Sequence, residues 1–375
     1  MRIYISVSND LITDQRVQRV AGTLSRSDYS PVIVGRRYRK SPNLLLKGVK
    51  IKRFLLLINK GFLFYALLNI RLFFYLISRK GEVVLLANDL DTLPANYLVS
   101  IIRGWKLIYD SHEYFTEVPE LSNRNFVRKF WLRLEKFLVP RVNLAYTVND
   151  TLAKLYSAKY GLKFHTIRNV PSRVSKVLNY SLPAGISGRK IILYQGAVNK
   201  DRGLEEMISL MSELDNTVFI IAGEGDILEN LRQKVQEEKL NDSVYFTGRL
   251  CPNRLKSLTQ KADIGISLER KTNLNYYYAL PNKLFDYIQA QIPVVCSNFP
   301  EMKRIVDEYS VGVTVKPGNK KILKNVIEDA LNNEIKRKKW QKNCIKASEE
   351  LNWDNEEKKL VSVYSTLKLK FSEKN

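Results

Sequence analysis

A chain of 375 residues, 45% hydrophobic and 26% charged, has the length of two ordinary domains and the balance of a globular protein rather than a disordered one. Its three cysteines (Cys251, Cys296, Cys344) lack paired or metal-type spacing and its two histidines (His112, His165) are too few for a histidine-built metal site, so a disulfide scaffold is excluded and a reducing cytosol is expected. The formal charge of +23 is concentrated in residues 1–180, which hold 30 Lys/Arg against 12 Asp/Glu, and such a field favours an anionic partner: nucleic acid, anionic lipid or a phosphorylated substrate.

Met1 leads directly into an apolar run, so no signal peptide is expected ahead of the fold. Strands are predicted at Arg2–Val7, Pro31–Gly35, Ile51–Leu57, Val83–Ala87, Lys106–Asp110, Leu144–Val148 and Phe164–Ile167. Helical spacing falls between most of them, at Asp14–Arg26, Phe62–Ser78, Thr92–Arg103, Asn125–Leu138 and Thr151–Tyr160. Repeated strand–helix units with apolar strands predict an α/β fold with a parallel, doubly wound sheet, whose ligands bind beyond the carboxyl ends of the strands.

Two stretches of this half join aromatic residues to basic ones. Between Lys52 and Lys80 the run Phe62–Ile77 is very apolar, but Lys60 and Arg71 interrupt it before the ~20 residues of a membrane span. From Asn123 to Arg141, Phe126, Phe130, Trp131, Leu134 and Phe137 recur at helical spacing while Arg124, Arg128, Lys129, Arg133 and Lys136 fill the other face. Each reads either as a domain helix or as a helix lying on an anionic bilayer. No helix-turn-helix, zinc finger or RNA-recognition motif accompanies the charge, so anionic lipid is preferred to nucleic acid.

At the predicted strand ends of the first half stand Ser8-Asn9-Asp10, Asn88-Asp89-Leu90-Asp91 and the polar run Asp110-Ser111-His112-Glu113. Asp89 and its neighbours either line a ligand cleft or, at Asp91, cap the next helix. Arg16 and Arg19 either face a ligand phosphate or belong to a solvated helix face.

Residues Asn169 to Gly188, with prolines, glycines and several serines, form a plausible linker, giving domains at 1–170 and 190–350, a linker at 171–189 and a C-terminal element at 351–375. Strands resume at Ile191–Gln195, Thr217–Ala222, Val244–Thr247, Ile264–Leu268 and Val294–Ser297. After the first of these, Gly196 to Leu204 carries glycine, Lys200 and Arg202 into a helix start, which suits phosphate. Gly223-Glu224-Gly225 follows the second strand and Thr247-Gly248-Arg249 the third. Near the end, Leu280-Pro281-Asn282-Lys283-Leu284-Phe285-Asp286-Tyr287 opens a helix, with Pro281 suited to its first turn. Lys283 at that helix start is a natural anion contact, and Asp286 one turn on can accept hydrogen bonds from ribose hydroxyls; the plainer alternative is an i,i+3 surface ion pair.

The stretch Leu280–Tyr287, followed by Ile292-Pro293-Val294-Val295, closely resembles the donor-binding segment of GT-B glycosyltransferases of family 4. The resemblance implies two Rossmann-like domains facing across a cleft, with a C-terminal helix (Leu351-Asn352-Trp353, then Glu356–Leu367) crossing back to the first. It implies a nucleotide-diphospho-sugar donor held at Gly196, Arg202, Gly223, Gly225, Arg249, Glu269, Asn282, Lys283, Leu284 and Asp286. Arg202 and Lys283 would meet the diphosphate, Asp286 the ribose, and Glu269 or Asn275 the sugar. The family often has Glu where this chain has Tyr278, usually Glu at 286, and Arg at 197 where this chain has Ala197. The Asp14-Gln15-Arg16-Val17 run also resembles the opening of many members. By the same resemblance His112 lies near the acceptor hydroxyl and the donor sugar, with Arg16, Asp89 and Glu113 as further acceptor-side candidates. No acidic metal motif is evident, so neither metal nor cofactor is expected and Arg202, Lys283 and His112 carry the chemistry. The expected activity is sugar transfer with retention to a glycan or lipid-linked acceptor on the cytoplasmic membrane face, as in surface-polysaccharide assembly. A nucleotide-sugar epimerase on the same fold and a non-enzymatic basic adaptor for membrane or nucleic acid are the alternatives.

Overall fold

The structure, a computed structural model, describes residues 1–12, 14–122, 124–173, 181–182 and 185–372. Residues 174–180 and 183–184 of the expected linker, Asn123 at the start of the second basic segment, Thr13 and residues 373–375 lie outside them. The chain divides into two compact units, Met1–Asn169 with Asn355–Asn375, and Val170–Asp354.

The first unit is built on seven parallel strands: β1 (Arg2–Asp10), β2 (Ser30–Arg37), β3 (Lys50–Leu55), β4 (Val83–Asn88), β5 (Lys106–Ser111), β6 (Leu144–Thr147) and β7 (Phe164–Thr166). Their order is β3-β2-β1-β4-β5-β6-β7. Every residue of β4 is buried, as a sheet covered on both faces requires. The order reverses beside β1, so the crevice for a ligand opens at the carboxyl ends of β1, β4 and β5, which carry Ser8, Asp89 and His112.

The second unit has six parallel strands: β8 (Lys190–Gln195), β9 (Thr217–Ala222), β10 (Val244–Phe246), β11 (Ile264–Ser267), β12 (Val294–Ser297) and β13 (Gly312–Val315). Their order, β10-β9-β8-β11-β12-β13, reverses beside β8, at the ends that carry Gly196 and Glu269. The strand–helix alternation thus yields two doubly wound sheets, as expected. Among the elements that escape the sequence pattern are the edge strand β13 and the helices Pro252–Thr259, Pro300–Tyr309, Lys320–Asn332 and Glu334–Glu350. β13 is only four residues long and half-exposed at three of them, so its periodicity is too short to read.

The C-terminal helix runs further than expected, from Trp353 to Ser372, and belongs to the first unit from Asn355 onward. Tyr364, buried, meets the Tyr29 ring edge-on at 5.7 Å and places its hydroxyl 3.2 Å from that of Tyr146. The Glu356 carboxylate accepts a 2.9 Å hydrogen bond from the backbone N–H of Arg168.

The apolar helix Gly61–Ile77 is neither wholly buried nor membrane-spanning. Phe64, Leu68, Leu72 and Leu76 recur every fourth residue and face the sheet, while Phe62 and Phe74 remain 69% and 65% exposed. Among the described residues no helix is long and apolar enough to cross a membrane. The helix Asn125–Leu138 buries Trp131, Glu135 and Leu138 and leaves Phe126, Phe130 and Phe137 exposed. Phe62 packs on Phe130 at 6.1 Å and Tyr97 on Phe137 at 5.9 Å, joining the outer faces of the helices Gly61–Ile77, Leu93–Arg103 and Asn125–Leu138.

Candidate active site

In the second unit, the turns that follow β8 and β9 are stitched together. Gly196 N–H donates to Ala222 O at 3.0 Å and Val198 N–H to Glu224 O at 2.9 Å. A Cβ on Gly223 would stand 1.8 Å from Gly196 O, so only glycine permits this approach. Gly196 itself has φ +130°, out of reach of most side chains. These glycines therefore form the floor on which the charged residues are placed.

Those residues come from the segments that follow β8 and β11 and from the start of the helix Asn282–Gln289. Arg202 Nη1 and Lys283 Nζ each lie 3.1 Å from the same Glu269 Oε1, at the end of β11. Glu269 is fully buried, and Ser267 Oγ donates to its other oxygen at 2.8 Å. Burial opposes its ionisation, but Lys283, Arg202 and Ser267 outweigh that and hold its pKa down at about 2. Lys283 is itself buried, with its ammonium 4.1 Å from the centre of the Tyr194 ring; Arg202 lies 4.3 Å from the Tyr276 ring. Two cations sharing one carboxylate leave a net positive charge at the start of the helix Asn282–Gln289, an arrangement that attracts phosphate.

Three expectations need correction here. Pro281 is the N-cap, in an extended conformation (φ −66°, ψ 138°), and Asn282 is the first helical residue. Lys283 does not pair with Asp286 along the helix; Asp286 accepts a 2.8 Å hydrogen bond from Gln195 Nε2, whose own carbonyl is held by Thr259 at 2.7 Å. Leu284 has no face on the site: its side chain is in the core and its N–H donates to Pro281 O at 3.1 Å. Asn282, Arg249 and Lys200 are exposed, and Gly225 lies in the turn whose Cβ direction meets Val198 O at 2.3 Å. Glu269, expected to touch a sugar, serves as the counter-ion of both cations. Gln195, Tyr194 and Tyr276 were not foreseen, since nothing in a strand residue or a tyrosine signals such a role before the strands are paired.

In the first unit, His112 stands at the end of β5 among acceptor groups. Its Nδ1 is 3.3 Å from Asp89 Oδ2, and its Nε2 is 3.2 Å from Asp110 Oδ2 and 3.1 Å from Asn88 Oδ1. The Asn88 amide donates to Ser6 O at 3.0 Å, which turns its carbonyl oxygen toward the imidazole. Both ring nitrogens therefore face acceptors and both carry protons. Burial works against that charge, but Asp89 and Asp110 prevail and lift the pKa to about 10. Arg16 is buried rather than solvated or directed at a ligand. Its guanidinium makes a two-pronged pair with Asp110, at 2.8 and 3.0 Å, and donates to Ile167 O at 2.8 Å. Asp89 takes a left-handed conformation (φ 58°) that lets it accept the His112 N–H at 2.8 Å. Asp91 does not cap the following helix, whose N-cap is Thr92; it turns inward, buried, and meets Ser8. The Glu113 side chain is exposed.

The family of glycosyl transferases group 1 matches residues 183–347, which hold the whole Arg202–Glu269–Lys283 cluster. The second unit is a group 1 glycosyltransferase domain. A glycosyltransferase of Methanocaldococcus jannaschii, itself uncharacterized, is 25% identical over half of this chain and 48% of its own. Sucrose-phosphate synthase from Thermosynechococcus elongatus shares 14% identity but superposes with a TM-score of 0.80 over 98% of this chain and 99% of that one. HepE of Anabaena, solved in complex with UDP-glucose, has 13% identity and a TM-score of 0.72 over 98% and 100% of the two chains. The fold is GT-B. The chain spans about half or less of the curated relatives it matches. In this group 1 glycosyltransferase domain the matched segment contributes both cations and their shared carboxylate, Arg202 after β8, Glu269 after β11 and Lys283 at a helix start. Among the described residues no group of three or more His, Cys, Asp or Glu is placed to hold a metal ion.

Proposed function

We propose that the chain transfers a glycosyl group from a nucleotide-diphospho-sugar to a hydroxyl of a glycan or lipid-linked acceptor, with retention of configuration. The observation that carries this reading is the shared salt bridge of Arg202 and Lys283 with Glu269 at a helix start inside a group 1 glycosyltransferase domain. In the reaction the bond from the sugar's anomeric carbon to the diphosphate oxygen breaks, and a bond to the acceptor oxygen forms. Negative charge gathers on the departing diphosphate, where Arg202 and Lys283 stabilise it in the role that a metal ion fills in other transferases. Asp286, oriented by Gln195, takes the ribose hydroxyls. His112, with both nitrogens already donating, is a fixed cation that orders Asp89 and Asp110; the acceptor's proton leaves to the diphosphate. HepE supports a nucleotide-sugar donor by sharing the fold.

The test is incubation of the purified chain with a panel of nucleotide-sugars and candidate acceptors. Release of nucleoside diphosphate that depends on acceptor is expected for one donor; interconversion of the free donor sugar without acceptor would overturn transfer in favour of epimerisation.

The same reading places the protein on the inner face of the membrane, serving surface-polysaccharide assembly. Its support is that the helices Gly61–Ile77, Leu93–Arg103 and Asn125–Leu138 carry exposed Phe62, Phe74, Ile101, Phe126 and Phe137 together with exposed Arg71, Arg103, Lys129 and Lys136. Basic residues near an anionic leaflet contribute about 1 kcal/mol each, and the aromatics add apolar burial. Co-sedimentation with vesicles containing phosphatidylglycerol at physiological salt is expected, with about a fivefold loss or more in the Phe62→Ser, Phe126→Ser double variant. Equal indifference to anionic and neutral vesicles would remove this part of the reading.

A further inference from the structure

We infer that the first unit holds a site for a phosphorylated pyranose, with an anion end and a hydroxyl end inside one cavity. The inference rests on the transferase reading, in which this sugar phosphate is the end-group of the acceptor.

The cavity measures about 680 Å³ and lies wholly within the first unit, beyond the ends of β1, β4 and β5. Its size falls in the range of small-molecule sites. At one end is the start of the helix Gly61–Ile77, where Lys60 and Gly61 line the cavity. That helix has no side-chain cap and no acidic residue in its first turn, so its first N–H groups and dipole favour an anion. Arg36 is the second, independent feature. It is 94% buried and donates through Nη2 to Asn59 O at 3.3 Å, directly beside that helix start. Stacking against Tyr38 and Phe64, at 4.1 and 4.5 Å from the ring centres, fixes its guanidinium. Its Nε is buried and has no hydrogen-bond partner among the described residues. A buried arginine with a donor to spare, a lysine and an uncapped helix start make a phosphate site.

The other end has opposite chemistry. Asp91 lines the cavity, is 95% buried, and leaves Oδ1 without a partner among the described residues. A carboxylate oxygen in that state lacks a donor, and a sugar hydroxyl supplies one. Beside it the Tyr65 and Trp131 rings pack edge to face at 5.4 Å and both line the cavity. Aromatic rings take the apolar C–H face of a pyranose while carboxylates take its hydroxyls. A simple anion leaves the Asp91 end unused, and a neutral sugar leaves the Arg36 end unused. A ring bearing a phosphate uses both.

The test is isothermal titration of the full chain with glucose 1-phosphate, galactose 1-phosphate and N-acetylglucosamine 1-phosphate, alongside their methyl glycosides and inorganic phosphate. At least one sugar phosphate is expected to bind tenfold or more tightly than its methyl glycoside and than phosphate alone. Arg36→Gln is expected to weaken that binding at least tenfold and Asp91→Asn to reduce it to the level of inorganic phosphate. Lys60→Gln, at an exposed position where folding is not at stake, is expected to cost about threefold. Lys283→Ala, in the other unit, is expected to leave it unchanged. Farnesyl diphospho-N-acetylglucosamine separates the two sources of such a group: tighter binding than the soluble sugar phosphate assigns a lipid-linked acceptor, equal binding a soluble one, and both support the site. Sugar phosphates that bind no better than methyl glycosides, or whose binding is lost in Lys283→Ala but kept in Arg36→Gln and Lys60→Gln, overturn it. Titration with nucleoside diphosphates on the same preparation keeps the two readings separate. Failure there removes the donor site and leaves this cavity standing; success there with no sugar-phosphate binding does the reverse.

Discussion

Lys283→Ala is expected to abolish the thermal stabilisation that a matching nucleoside diphosphate confers on the wild-type protein. Ligand at ~100 Kd adds about 2.7 kcal/mol to a native state that alone binds it, a shift easily measured. Removing the lysine takes away one of two cations at the phosphate position, and turnover should fall by about 10²–10³-fold, the cost of one donor to developing charge. The variant should still fold. Glu269 loses one partner but keeps Arg202 at 3.1 Å and Ser267 at 2.8 Å, so the stability cost should be about 1–3 kcal/mol, less than a fully orphaned buried charge. Glu269→Gln separates the two roles of the cluster. It removes the negative charge that competes for both cations, so nucleoside diphosphate should bind severalfold more tightly while the free protein becomes less stable. If Lys283→Ala responds to nucleotide as the wild type does, the cluster is a structural salt bridge and the donor site lies elsewhere.

The same cluster shows what could be read from the chain and what could not. The strands were legible because runs such as Ile191–Tyr194 and Val218–Ala222 carry no charged or amide side chain, which a sheet covered on both faces favours. Lys283 stood out because a proline and a polar residue announce a helix start, and Arg202 because it follows a glycine turn. Glu269 was visible as a charged residue at a strand end, but its partners are 67 and 14 residues away, and nothing local says which cations it meets. Strand order decides that, by bringing β11 beside β8. Arg16 was misread for the same reason. Its neighbours in sequence form an amphipathic helix, whereas its partner Asp110 lies 94 residues on, across β1 and β4. The apolar helix Gly61–Ile77 was ambiguous in principle: composition sets its hydrophobicity, but only packing shows that one stripe is covered and the opposite face is not.

Asp110→Ala should be the most destabilising single change in the first unit. Asp110 is fully buried and holds Arg16, only 2% exposed, together with Nε2 of His112. Its loss leaves a buried guanidinium with Ile167 O alone, and breaking such a pair costs about 3–5 kcal/mol. Against a total of about 5–15 kcal/mol for a typical domain, much of the unit's margin is gone, and urea denaturation should show a large drop in midpoint. His112→Gln should be far milder, because the buried Arg16–Asp110 pair survives it. The two variants also differ in their response to pH. The His112 pKa is raised from 6.5 to about 10 in the folded chain, so its contribution is complete below pH 6.5 and fades as pH rises through 10. The stability gap between wild type and His112→Gln should therefore be widest near pH 6 and narrow toward pH 10. Asp89 and Asp91 are also raised, by burial foremost, to about 6, so they favour the folded state below pH 4 and lose that effect by pH 6, outside the histidine's window. For catalysis, any inflection of kcat/KM near pH 6 should come from Asp89 and Asp91 and persist in His112→Gln, since His112 stays protonated throughout neutral pH. A rise in rate centred near 6.5 that disappears in His112→Gln would instead identify a neutral imidazole acting as base, and with it a different arrangement of Asp89 and Asp110 in the working enzyme.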